Sequence, residues 1–217
     1  MCATRSFSVA SFILACAILL APPEISVARA DELRSHCPPA SDSDFFFPVN
    51  ALDTARSDND AFEREWYSRH LAAMRQSSLS CGEASAPETY RFLWLRSFHR
   101  SISVRVALKR DRARIEFIEL TGRGGYEPGH IRRHTERRLS RNEVDRFAKA
   151  LKEADFWQLP TRIHNFWLDG AEWIVEGRHG RTYHVVDRLS PQDGAYRALG
   201  LLFLELAHFS APPSEIY

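Results

Sequence analysis

The residues best placed for chemistry lie near the end of the chain. His184 sits in a run of alternating polarity, and Glu172 and Glu176 sit in the run before it, with Asp169 just upstream. A carboxylate beside an imidazole tunes it for acid–base work near neutral pH, so this trio is the candidate catalytic group. No GxSxG or comparable nucleophile motif accompanies it. The sequence therefore points away from an enzyme; a small periplasmic hydrolase using His184 with Glu172 or Glu176 is the alternative.

The candidate binding residues are cationic. Residues 89–140 hold 13 basic and 5 acidic side chains, whereas residues 31–88 hold 5 and 11. Arg105, Arg110, Arg112 and Arg114 cluster around one turn. Such a patch meets either the acidic part of its own chain or an anionic partner. Aromatic side chains are not interleaved with it as a single-strand nucleic-acid binder needs, so nucleic acid is excluded. Another protein or an anionic envelope component remains. Phe166 and Trp167, in a loop after Pro160, form a second candidate contact.

Other chemistry is poorly served. His130 and His134 are four apart in a stretch that reads as extended, which separates them by roughly 13 Å. HExxH and CxxC are absent, so neither a metal nor a cofactor is expected. The run Gly122–Gly129 is glycine-rich but lacks phosphate-loop spacing, and no helix opens after it.

The compartment is read from the start of the chain. Residues 1–30 carry Arg5, an apolar run from Phe7 to Ala21, and Ala28-Arg29-Ala30, the pattern of a cleaved signal peptide ending before Asp31. The run is shorter than the ~20 residues of a spanning helix, so membrane contact ends with cleavage. The protein is expected to be periplasmic or secreted. Cleavage leaves Cys37 and Cys81, and a disulfide between them closes a loop of about 44 residues, worth ~4 kcal/mol in the chain-entropy model.

The elements that must position these residues follow from periodicity. Residues 31–88 read as an irregular arm, whose Phe45-Phe46-Phe47 needs cover, and a helix over about 60–76 with Asp60 and Glu63 as a capping box. Phe62, Trp66, Tyr67, Leu71 and Met74 would form its apolar face, with His70 on the same side. Residues 89–217 read as an α+β domain. Strands at 89–98, 101–109 and 113–120 precede a charged edge strand at 130–139. The third strand shifts its apolar parity, from Ile115 and Phe117 to Ile118 and Leu120, and this points to a bulge. Ser140 and Glu143 form a capping box for a helix over 141–155, which Pro160 keeps from extending. A hairpin over 171–187 with a three-residue loop pairs Trp173 with Val185 and Val175 with Tyr183, placing Glu172 and Glu176 on the face of His184. A last helix starts at a Ser190 cap. The expected architecture is an antiparallel sheet of five to six strands with helices packed mainly on one face, preceded by the arm and one helix.

The segments Ala154-Asp155-Phe156-Trp157-Gln158-Leu159-Pro160, Asp169-Gly170-Ala171-Glu172-Trp173, Tyr183-His184-Val185-Val186-Asp187-Arg188 and Ser190-Pro191 resemble a group of small exported bacterial proteins of unknown function. In these a helix ends in a Phe-aromatic-x-Leu step, followed by a hairpin and a closing helix. The resemblance covers about residues 89–208. It implies the fold and brings no catalytic residues.

Overall fold

The computed structural model describes residues 45–82, 85–109, 112–163 and 170–217. The leader pattern, Cys37, Arg110, Phe166, Trp167 and Asp169 lie outside the described residues. Helix α1 (Ser57–Ala73) is followed by β1 (Glu88–Arg96), β2 (Arg100–Lys109), β3 (Arg112–Arg123) and β4 (Ile131–Arg138). Then come α2 (Arg141–Glu153), β5 (Ala171–His179), β6 (Thr182–Leu189) and α3 (Gly194–Leu206). The fold is α+β, with one antiparallel sheet in the order β4-β3-β2-β1-β5-β6. Among the described residues no helix is long and apolar enough to cross a membrane.

Two helices share one face, and their burial follows from local sequence. Ser140 Oγ accepts from the Glu143 amide while the Glu143 side chain accepts from the Ser140 amide, closing the expected capping box. Phe147 and Leu151 then turn inward beside Phe203 and Leu199 of α3, over Phe92, Trp94, Val104 and Trp173. Gly200 lets α3 approach Trp173, because a Cβ there would lie 2.5 Å from its ring.

The opposite face is also covered. Phe46, Phe47 and Leu52 of the arm join Tyr67 and Leu71 of α1 over Leu93, Leu95, Ile118, Leu120, Ile174 and Val185. The apolar residues of β3 thus divide between two cores without a break in parity. The irregularity lies instead in the pairing: Glu119 faces Arg133 and Leu120 faces Ile131, so Arg132 is the extra residue on β4.

Three local expectations are corrected. Helix α1 begins at Ser57, and Asp60 caps nothing; its carboxylate accepts from the amides of Asn50, Leu52 and Asp53 and so folds the arm. Phe62 is exposed, while Asp60, Glu63, Arg64, Ser68 and His70 are buried, so the docked face of α1 is largely polar. Helix α3 begins at Gly194, whose φ of +85° suits glycine, and Ser190 accepts from the Ala171 amide instead of capping.

The hairpin register also differs. His179 pairs with Thr182 across a two-residue loop, so Glu176 faces Val185 and Gly177 faces His184. The expected register assumed one apolar face. Here both faces are buried, so parity alone could not choose between registers.

Candidate functional site

The register divides the catalytic candidates. Glu172 and Glu176 point to the α1 side of the sheet, whereas His184 lies on the other side against Phe156 and Trp157. Burial holds the His184 imidazole below its ordinary range. The three groups cannot act on one substrate atom.

Glu176 is instead half of an internal ion pair. Arg91 donates to it through Nε (2.7 Å) and holds its Nη2 at 2.5 Å in an ion pair, Tyr183 donates its hydroxyl (2.9 Å), and both charged side chains are fully buried. Burial pushes the Glu176 carboxyl up, and Arg91 pulls against that shift. This pair ends a charged row across five strands, which strand pairing orders Glu136, Glu116, Arg105, Arg91, Glu176.

The row also accounts for the basic patch. Arg105 Nε lies 2.9 Å from Glu116 and Arg114 lies 3.4 Å from Glu136, so two of the four candidate arginines meet acids of their own sheet. Arg112 is exposed at the start of β3, and Arg110 lies outside the described residues. Glu116, His134 and Glu136 bring ligand-type atoms within 4.8 Å of one another. Glu116 already accepts from Gln76 and pairs with Arg105, which leaves little negative charge for a cation. His130 is apart from this group and shares a hydrogen bond with Thr121.

Beneath α1 lies a second polar cluster that the sequence reading missed. Arg162 donates to Glu63 and, at 2.5 Å, to Asp187 Oδ2, which also accepts from Tyr67 (2.9 Å). Burial, and then the Asp187 charge, push the Glu63 carboxyl up to about 7. The same two causes hold the Glu172 carboxyl well above the ordinary carboxylate range. Next to this cluster His70 shares a hydrogen bond with Ser101 (2.9 Å), and burial lowers its pKa to about 4. Helical spacing of polar residues, at 60, 63, 67 and 70, was the signal available.

A cavity of about 460 Å³ opens at the opposite end of β1–β3 from the charged turn. The sheet contributes Arg96, His99, Arg100, Glu119 and Arg123, and residues 209–212 with Glu215 form the other wall. Its volume falls in the range of small-molecule sites. Arg96 is 2 % exposed and lies over the Trp94 ring. Its Nη1 donates to Glu215 (2.8 Å) and its Nη2 to the Arg100 carbonyl (3.0 Å). Its Nε has no hydrogen-bond partner among the described residues. Arg132 neutralises Glu119 at 2.5 Å. Arg100 and Arg123 are directly opposite each other on β2 and β3, both exposed, and neither makes an ion pair among the described residues. Like charges in that relation are destabilising unless something anionic lies between them.

Comparison of the chain with protein-family models, with characterised proteins and with solved structures gave no match.

Proposed function

We propose that this chain is an exported binding protein of the bacterial envelope, of inhibitor, immunity or accessory type, that holds its partner or ligand at the sheet-end cavity. The observation that carries this reading is the unpaired Arg100–Arg123 couple at the rim of the cavity that Arg96 lines. Several charged groups on the α1 face are paired with one another, whereas Arg100 and Arg123 at the cavity rim make no ion pair among the described residues. The leader pattern of residues 1–30 supports export, and a Cys37–Cys81 disulfide, which would tie the arm to the turn after α1, belongs to the same reading.

The test is thermal denaturation of the purified protein with acidic, neutral and basic small molecules. Acidic compounds are expected to raise Tm in the wild type and to have no effect in an Arg100→Glu/Arg123→Glu variant, because binding to the native state alone stabilises it. Equal effects of all three classes, or an unchanged response in the variant, would refute the cavity as the binding site. Export is checked separately, by looking for a periplasmic form that begins at Asp31.

A further inference from the structure

We propose that the cavity takes a phosphate monoester, with the dianionic head between Arg100 and Arg123 and with Glu215 as an internal competitor for Arg96. This rests on the cavity being the binding site. The formal charges select the ligand class. Arg96 is matched by Glu215 and Arg132 by Glu119, which leaves Arg100 and Arg123 as two positive charges without an acid. Two guanidinium forks opposing a single anion match the several acceptor oxygens of a phosphate. A phosphate monoester carries close to two negative charges above its second pKa of about 6, whereas a carboxylate or sulfate ester carries one.

The walls select the rest of the ligand. Phe98, Phe209, Ala211 and Pro212 line the cavity beside the arginines. Phe98 is 52 % exposed, and Phe209 is held by stacking on Phe117. A bare phosphate would leave these apolar surfaces wet, so the ester group is organic and packs against them.

Glu215 lies on a short turn, Pro213–Glu215, within the final segment of the chain. Its carboxylate accepts from Arg96 and lies 3.8 Å from His99 Nε2. The same segment is fixed by Trp173 Nε1, which donates to the Tyr217 carbonyl (2.9 Å), and by the Tyr217 hydroxyl, which shares a hydrogen bond with His99 Nδ1 (3.0 Å). The carboxylate therefore holds an anion position in the cavity from within the chain. Removing its charge frees Arg96 for the ligand.

Isothermal titration of the purified protein at pH 8 with phenyl phosphate, phenyl sulfate and benzoate tests this. Phenyl phosphate is expected to bind at least about tenfold more tightly than the two monoanions. Arg100→Ala/Arg123→Ala, at exposed positions that leave folding intact, should weaken it by about a hundredfold, the scale of losing charged hydrogen bonds. Glu215→Gln should tighten it, and affinity should fall below pH 6 as the phosphate takes up a proton. Flotation with phosphatidate vesicles identifies the source: binding that Arg100→Ala/Arg123→Ala removes marks a lipid headgroup, and its absence beside tight phenyl phosphate binding marks a soluble ester. Equal or tighter binding of phenyl sulfate or benzoate, sensitive to the double substitution, would overturn the phosphate class and leave the cavity as a binding site. No binding of any probe, or binding indifferent to the double substitution, would overturn both. Weaker phosphate binding in Glu215→Gln would overturn the competitor role.

Discussion

Replacing Arg91 by Met isolates what the buried ion pair contributes. Arg91 and Glu176 are both fully buried, and the Tyr183 hydroxyl is the other donor to the Glu176 carboxylate. Arg91→Met keeps most of the side-chain volume and leaves Glu176 with that single hydrogen bond, while Ser77 loses a donor to its carbonyl (2.8 Å). Breaking one half of a buried pair costs about 3–5 kcal/mol, a large part of the ~5–15 kcal/mol that holds a domain folded. Replacing both charges by methionine removes the uncompensated carboxylate, so Arg91→Met/Glu176→Met should cost less than Arg91→Met alone. The coupling between the two sites should exceed about 2 kcal/mol. Acidity offers a second check. Burial already raises the folded-state pKa of Glu176, and loss of Arg91 removes the group that opposes the rise. A carboxyl with a raised folded pKa gives its full stability below the unfolded value and loses it as the pH increases. The deficit of Arg91→Met should therefore shrink on going from pH 7 to pH 5. Urea unfolding followed by tryptophan fluorescence, with unchanged m, measures all of this. A cost below about 1 kcal/mol, additive single substitutions, or a deficit independent of pH would refute the assignment.

Two other predictions rest on single contacts. Glu63→Gln removes a carboxyl whose folded pKa is about 7 against 4.5 unfolded, so between those values rising pH should shift the stability difference against the wild type, by up to about 3 kcal/mol; a pH-independent difference in urea midpoints would contradict it. Gly200→Ala places a methyl group 2.5 Å from the Trp173 ring and should cost about 1–3 kcal/mol, seen as a lower Tm with changed near-ultraviolet circular dichroism; an unchanged Tm would mean that α3 can slide away freely.

The elements that could be read from the sequence are those with a single physical demand. The capping box at Ser140 is complete within four residues, and β2 alternates with one clear period. Misreadings arose where two demands met. Asp60 has the sequence of a cap, but its carboxylate serves the amides of the arm, a contact across eight to ten residues that no local rule contains. An apolar docked face is the local expectation for α1, yet it buries Glu63, Arg64 and His70 because Arg162, the Phe47 carbonyl of the arm and Ser101 of the sheet supply them with partners. The β5–β6 register was undetermined because apolar residues lie on both faces of each strand. The sheet-end cavity was invisible because its arginines lie far apart in sequence. Arg100 and Arg123 meet through a shift in strand pairing, and Glu215 arrives from the last turn of the chain.

The two borders of the sheet are guarded in different ways. At the C-terminal end of β6 the chain covers its own edge: the Asp187 amide donates to the Thr161 carbonyl (2.7 Å), and Arg188 reaches the carbonyls of Pro160 and Thr161. At β4 the guard is charge alone, in the run Ile-Arg-Arg-His-Thr-Glu-Arg-Arg. Backbone hydrogen bonds are indifferent to dissolved salt, whereas surface charge is screened within about 3 Å at 1 M. Ionic strength therefore governs the β4 border and leaves the Asp187–Thr161 backbone contact of β6 untouched. In concentrated salt β4 is the side on which a second chain can add as a seventh strand.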